Sequence, residues 1–172
     1  MSRVAVVGVG VVGGFFAAQA FRAGNVLTLC VRTRFDELVV ETGGQVIRAS
    51  ARVVTKPEEV DVVDFVILAT KAHQTPSAAG WMERLCDPQT VVVIAQNGID
   101  QVQRVRPYCP TGTIVPSVCT AVVSSLLPGT WFIASTDTSS SPRATPPGRF
   151  VTCSRDPVRR YASRLTLSPT NG

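Results

Sequence analysis

Histidine is almost absent from the chain, since His73 is its only one, and the five cysteines include no C-x-x-C pair. The spacings that hold a metal are therefore missing, and we expect no metal site. Aromatic residues make up only 6% of the 172 residues, too few for a surface that stacks nucleic-acid bases. Charged residues make up 17% against 45% hydrophobic residues, so the composition predicts a sizeable core and excludes a wholly disordered chain.

The net charge of +5 is unevenly distributed. Residues 1–125 hold 11 Lys and Arg against 10 Asp and Glu, whereas residues 126–172 hold 6 Arg against 2 Asp. The positive excess lies in the tail and forms no stripe on a recognition element, so we expect no nucleic-acid partner. The odd number of cysteines, without a pairing pattern, indicates a reducing, cytoplasmic location.

The N-terminal run from Val4 to Phe21 is apolar and follows Arg3, in outline like a signal peptide. Glycines at positions 8, 10, 13 and 14 interrupt this run at a spacing that suits a strand, a turn and a helix. We therefore predict a folded element here and no membrane segment.

Short apolar runs alternate with helical patterns over the first 118 residues. The runs are continuously apolar, which is typical of parallel strands covered on both faces. The alternation predicts an α/β fold, a doubly wound Rossmann-type mostly parallel sheet in a single domain. A turn at Gly43-Gly44 and a hairpin that pairs residues 45–48 with 52–55 are also expected. The predicted strands are 4–7, 26–31, 64–70, 91–95 and 113–118, and the predicted helices are 11–23, 36–41, 77–86 and 99–106.

The composition changes after about residue 125, since 23 of the residues from 126 to 172 are Ser, Thr, Pro or Gly. We expect strands at 130–135 and 149–153, with a flexible loop at 136–147 between them. Asp156-Pro157 then begins a short amphipathic helix that reaches Leu165. Residues 1–165 are thus predicted to form the domain, and 166–172 a tail.

A G-x-G-x-x-G motif lies between the first predicted strand and the first predicted helix. In this context the first glycine permits a tight turn, the second lets the backbone approach a diphosphate, and the third lets the helix pack on the strand. The helix N-terminus presents free N–H groups and the positive end of its dipole to the phosphates. The motif predicts a dinucleotide site, the alternative being a glycine-rich turn without a ligand. The predicted cofactor-binding residues of the motif are Gly8, Val9, Gly10, Val11, Val12 and Gly13.

The end of the second predicted strand selects the cofactor. An NAD site has Asp or Glu there to accept from the ribose 2′-OH, whereas this chain has Arg32-Thr33-Arg34. A guanidinium can bind a 2′-phosphate through two parallel hydrogen bonds. We therefore predict NADPH, with Arg32 as the first choice for the 2′-phosphate and Arg34 as the second. The alternative is that both arginines are merely solvated.

Polar residues follow the runs 64–70 and 91–95, where ligands of open parallel sheets bind. Lys71 follows the first run and Asn97-Gly98 follows the second, so we expect both Lys71 and Asn97 to face the cofactor. The alternatives are a solvated strand-end cation and a plain turn. His73 lies nearby but has no identifiable partner, and we expect an exposed loop residue. No catalytic residue is identifiable.

Together these residues resemble the N-terminal domain of the ketopantoate reductase family. The resemblance rests on the glycine motif, Arg32, Thr70-Lys71-Ala72-His73-Gln74 and Gln96-Asn97-Gly98, and is good over residues 1–118 but weak over 119–165. It implies hydride transfer from NADPH to the ketone of 2-dehydropantoate, giving pantoate for coenzyme A synthesis. It also implies that Lys71 lies by the cofactor and that Asn97 contacts both cofactor and substrate.

Members of that family carry a C-terminal helical domain, which supplies a lysine general acid. We expect this catalytic domain to be absent from the chain, leaving the carbonyl oxygen of the 2-oxo acid substrate without an evident proton donor. The chain alone is then expected to be inactive. The alternatives are a non-catalytic nucleotide-binding module, another two-domain NADP dehydrogenase, and an inactive fragment. The oligomeric state stays open.

Overall fold

The computed structural model describes residues 1–42, 45–118, 122–127, 130–135 and 151–152. In chain order the elements are β1 (Arg3–Val7), α1 (Val11–Arg22), β2 (Val26–Cys30), β3 (Leu38–Thr42), β4 (Gln45–Ala49), β5 (Arg52–Val54), β6 (Phe65–Leu68), α2 (Ala79–Leu85), β7 (Val91–Ile94), α3 (Gln101–Val105), β8 (Thr113–Val118), β9 (Val122–Leu127), β10 (Thr130–Ser135) and β11 (Val151–Thr152), with 3-10 segments at Pro57–Glu59, Ala72–Ala78 and Arg106–Tyr108. The predicted turn at 43–44, the loop at 136–147, the helix from 156 to 165 and the tail at 166–172 lie outside the described residues.

The larger sheet has seven strands in the order β11-β8-β7-β6-β1-β2-β5. Every neighbouring pair is parallel, and β1 lies between β2 and β6, with Val4 opposite both Leu27 and Phe65. The chain builds outward from β1 in one direction through β2 and β5, and in the other through β6, β7 and β8. This is the predicted doubly wound, Rossmann-type arrangement, with its topological switch point between β1 and β6.

Both faces of this sheet are covered by apolar side chains. On β1, Val4 and Val6 pack in one core with Phe16 of α1. Ala5 and Val7, on the other face of the strand, pack in a second core with Met82 of α2. Because alternate residues serve two different cores, neither face of the strand can be polar. This double burial explains the continuously apolar runs in the sequence.

A second, four-stranded sheet lies on the α1 side of the domain, in the order β4-β3-β10-β9. β3 is antiparallel to β4 and parallel to β10, and β10 is antiparallel to β9. Leu38, Val40 and Ile47 of this sheet share one buried cluster with Phe15 and Phe16 of α1. The helix therefore packs against both sheets, which explains why its surface is apolar nearly all round.

Two sequence-based predictions in this region are wrong. Residues 36–41 do not form a helix, because Leu38 and Val40 alternate with the partly exposed Val39 along a strand that buries one face on α1. The hairpin partner of residues 45–49 is β3 rather than residues 52–55, with Leu38 opposite Ala49. β5 instead joins the larger sheet parallel to β2.

The predictions for the later strands have a mixed outcome. The strand at 130–135 is confirmed as β10, and the described part of the predicted strand 149–153, Val151–Thr152, forms β11. β9 has no counterpart among the predicted elements. None of the helices in the described ranges is long and apolar enough to cross a membrane, and the run from Val4 to Phe21 forms β1, a turn and most of α1.

Candidate dinucleotide-binding site

The turn after β1 has room for glycine alone at its first position. Gly8 adopts a φ of +89°, a left-handed conformation that other residues rarely adopt. A Cβ atom there would lie 2.8 Å from the backbone nitrogen of Thr70, beyond the end of β6. The N–H of Gly8 donates to the carbonyl oxygen of Cys30 at 3.1 Å, so β2 also holds the turn.

Gly13, in the first turns of α1, brings the helix onto this loop. A Cβ atom on Gly13 would lie well under 3.0 Å from the carbonyl oxygen of Gly8 and 3.2 Å from the Cβ of Ala69. The helix can approach the turn and the end of β6 this closely only because residue 13 has no side chain. The start of α1 is therefore fixed over the carboxyl edge of the sheet.

Gly10 differs from these two glycines because the space above it is open. It is the exposed N-cap residue of α1, and a Cβ atom there would meet nothing within 4 Å in the part of the chain that the structure describes. No side chain caps the helix and its first turn holds no acidic residue. The N–H groups of that turn therefore keep the free donors and positive dipole end that bind phosphates.

The three valines of the motif, Val9, Val11 and Val12, are partly buried against the core that α1 shares with the larger sheet. Their side chains anchor the turn in the core, and their backbone groups are available to bind a ligand. The residues present thus fit a diphosphate at the N-terminus of a 12-residue helix.

Arg32 is exposed two residues beyond the end of β2, and Arg34 is exposed beside it. Residues 31–34 include no Asp or Glu that could bind a ribose hydroxyl. Neither Arg32 nor Arg34 belongs to an ion pair with any residue that the structure describes. Free guanidinium groups therefore stand on one side of the glycine turn.

Lys71 and Asn97 stand on the other side, at the carboxyl edge of the sheet. Lys71 is exposed three residues after β6, and Asn97 is exposed three residues after β7. Because β6 and β7 are parallel neighbours, their following loops lie next to each other. His73, in the 3-10 segment after Lys71, is exposed as predicted.

A buried polar cluster connects these two loops, and the sequence predictions did not include it. Gln96 donates through Nε2 to the hydroxyl oxygen of Thr70 at 2.9 Å and to that of Thr75 at 3.1 Å. Its Oε1 accepts from Nε of Arg104 at 3.4 Å. A signal was present in the sequence, since Thr70 and Gln96 directly precede Lys71 and Asn97.

Cys86 and Cys109, two thiols with perturbed pKa values, lie outside this site. Cys86 follows α2 and donates to the sulfur of Cys109, and this hydrogen bond lowers the pKa of Cys109. Both thiols belong to the core on the α2 face. In the parts of the chain that the structure describes, no group of three or more His, Cys, Asp or Glu residues could hold a metal ion.

Comparison with known proteins places these features in a family. The family described as "Ketopantoate reductase PanE/ApbA" matches residues 4–139. A 2-dehydropantoate 2-reductase of Caulobacter vibrioides is 38% identical over 130 residues, which are 75% of this chain and 45% of the relative. One from Mycobacterium tuberculosis is 42% identical over 117 residues, which are 67% of this chain and 40% of the relative.

The fold agrees with that family. A PanE/ApbA family ketopantoate reductase of Ralstonia eutropha superposes with a TM-score of 0.70 at 23% identity, over 77% of this chain and 46% of the other. The chain spans less than half the length of the curated relatives reported above. Since the family match covers most of the sequence and the relatives are well above 30% identical, this chain belongs to the ketopantoate reductase family PanE/ApbA.

Proposed function

We propose that this chain binds NADPH and is the cofactor-binding part of a reductase that converts 2-dehydropantoate to pantoate. The observation that carries the proposal is the open N-terminus of α1 at Gly10, together with the exposed Arg32 after the neighbouring strand β2, which forms no ion pair with the described residues. The names of the curated relatives supply the reaction. NADPH, when bound, supplies the hydride.

Each proposed site residue has a part in binding. The first-turn N–H groups of α1, at Val11 and Val12, bind the diphosphate, and Arg32 binds the 2′-phosphate. Lys71 lies by the cofactor, and the Asn97 side chain, which has both a donor and an acceptor, contacts cofactor and substrate. None of these residues is assigned as the proton donor that the carbonyl oxygen needs.

The test of cofactor choice compares NADPH with NADH. Arg32→Ala removes a bidentate, charge-assisted hydrogen bond to the 2′-phosphate. We therefore expect the affinity for NADPH to fall about 10- to 100-fold, while the affinity for NADH, which has no 2′-phosphate, changes little. Arg22→Ala is the matched control, since Arg22 is also exposed but lies in the last turn of α1, at the opposite end of that helix from Gly10. Arg34→Ala tests the second candidate. Equal losses for both cofactors would remove Arg32 from the 2′-phosphate site.

A second candidate function is a module that binds the nucleotide without turnover. The observation in its favour is that the chain spans only 40–45% of the curated relatives reported above. A steady-state assay with NADPH and 2-dehydropantoate separates the two functions. Oxidation of NADPH that depends on 2-dehydropantoate supports the reductase, whereas tight binding without oxidation supports the module.

A further inference from the structure

We propose that Gln96 and Thr75 are positioning residues that hold the Lys71 and Asn97 loops against the nicotinamide half of NADPH. The inference rests on the proposed function, because it assigns the geometry of that same site. The two side chains are buried, Gln96 being 4% exposed and Thr75 0% exposed, whereas Lys71 and Asn97 are exposed. They therefore act through the loops and make no contact with the cofactor themselves.

The strand order places the nicotinamide half at these loops. Arg32, the proposed ligand of the 2′-phosphate, follows β2 on one side of β1. A dinucleotide crosses the switch point of a doubly wound sheet, with one nucleotide on each side. The nicotinamide nucleotide then lies on the other side of β1, at the carboxyl ends of β6 and β7, where the residues after Leu68 and Ile94 form the edge.

The hydrogen bonds make the Gln96 amide a brace between the two loops. The hydroxyl of Thr75 donates to the carbonyl oxygen of Ala72 at 2.8 Å and accepts from Nε2 of Gln96 at 3.1 Å. Thr75 thereby ties the 3-10 segment after Lys71 to the residue before Asn97. Nε of Arg104 can only donate, so the amide oxygen of Gln96 faces Arg104 and the amide nitrogen faces the two hydroxyl oxygens, which determines the orientation of the amide.

The hydrogen bonds of the Gln96 side chain reach both the phosphate-binding turn and the loop after β7. Thr70, the second acceptor of the Gln96 amide, packs directly against Gly8 of the phosphate-binding turn. On the other side, Arg104 donates to Oε1 of Gln96 and, at 3.3 Å, to the main-chain oxygen of Asn97. Arg104 also pairs with Asp100 across the turn that contains Gly98, whose φ is +122°. The polar cluster therefore determines the positions of the turn and of both loops together.

Two buried threonines provide a matched experiment. Thr75→Val removes the hydroxyl that ties the 3-10 segment to the Gln96 amide and nearly keeps the side-chain shape. Thr90→Val is the control, because Thr90 is also 0% exposed and its hydroxyl donates to the carbonyl oxygen of Val63 at 2.9 Å, but it precedes β7 at the opposite edge. Thermal unfolding is measured for both variants, together with the dissociation constants of NADPH and of adenosine 2′,5′-bisphosphate, which lacks the nicotinamide half.

We expect both variants to unfold at similarly lowered temperatures. Thr75→Val should weaken NADPH about fivefold and leave adenosine 2′,5′-bisphosphate within about twofold of wild type, as the loss of one hydrogen-bonded contact predicts. Thr90→Val should leave the ratio of the two affinities unchanged. Thr75→Ser, which keeps the hydroxyl, should show the same ratio of NADPH to adenosine 2′,5′-bisphosphate affinity as the wild type.

The inference is overturned if Thr75→Val weakens both ligands equally, if Thr90→Val changes the ratio as much, or if the wild type binds NADPH no more tightly than adenosine 2′,5′-bisphosphate. If Thr75→Val does not fold, Gln96→Met, which keeps the side-chain length without the amide, is judged by the same outcomes. A wild type that binds neither ligand contradicts the proposed function itself, and so the two failures are distinguishable.

Discussion

Gly10→Ala should weaken NADPH binding about 100-fold or more and leave the fold intact. Gly10 has a φ of −82° and a ψ of −161°, which any residue adopts, and a Cβ atom there meets nothing within 4 Å. Alanine is a poorer N-cap than glycine by up to about 1 kcal/mol. It also restricts the unfolded chain, which stabilises the fold by about 0.4–1 kcal/mol. These effects nearly cancel, so we expect a change below about 0.5 kcal/mol in the free energy of unfolding.

The added methyl group would occupy the space through which a diphosphate reaches the first-turn N–H groups of α1. Loss of two charge-assisted hydrogen bonds, at about 1.5 kcal/mol or more each, weakens NADPH about 100-fold or more. Gly13→Ala is the opposite case. Its Cβ atom would overlap the carbonyl oxygen of Gly8, and overpacking of this kind costs about 3 kcal/mol, a fall of roughly 6–12 °C in Tm.

Thermal unfolding and NADPH fluorescence titration, performed on both variants and the wild type, separate these effects. Gly10→Ala should unfold at the wild-type temperature and bind NADPH about 100-fold more weakly, whereas Gly13→Ala should unfold at a lower temperature. Wild-type affinity in Gly10→Ala would refute the placement of the diphosphate. Wild-type stability in Gly13→Ala would refute the close packing of α1 on the turn.

Two further predictions concern the fold. Leu38 is 1% exposed, so Leu38→Ala should lower the free energy of unfolding by about 2–5 kcal/mol. Glu37→Ala removes only a surface ion pair with Arg48 and should lower it by less than about 1 kcal/mol. Urea denaturation measures both losses, and equal losses would contradict the packing of the second sheet on α1. Burial raises the pKa of the Cys30 thiol from 9.0 to about 12, so its contribution to stability is present below pH 9 and is lost as the pH rises from 9 to 12. The stability difference between the wild type and Cys30→Ala should therefore fall over that pH range, and a constant difference would contradict the burial of this thiol.

The larger sheet was predictable because its strands are buried on both faces. The stretch 65–69 has no polar position with which to alternate, and a run of this kind between helical patterns has few other structural solutions. The glycine turn was predictable for a related reason. Any side chain at position 8 would collide with Thr70, and any side chain at position 13 would collide with the carbonyl oxygen of Gly8.

The second sheet was not predictable from local pattern. Residues 38–42 include Leu38 and Val40, which suit a strand or a short helix equally, and the preceding Asp36 resembles a helix cap. What decides between them is tertiary: α1 needs cover on the face away from the larger sheet, and β3 and β4 supply it.

The polar cluster around Gln96 was missed for a different reason. The sequence patterns assigned function to Lys71 and Asn97, whereas Thr70 and Gln96 entered only as members of the motifs that carry the family resemblance. Whether Gln96 reaches Thr75 depends on the register of β6 with β7 and on the course of the 3-10 segment. Neither is encoded by residue type at a single position.

The most direct test of the central claim is a crystal structure of the wild-type chain with NADPH. It should show the diphosphate within hydrogen-bond distance of the N–H groups of Val11 and Val12, above Gly10, and the 2′-phosphate bound by the guanidinium of Arg32. NADPH bound elsewhere, or bound with its diphosphate away from the N-terminus of α1, would contradict the account.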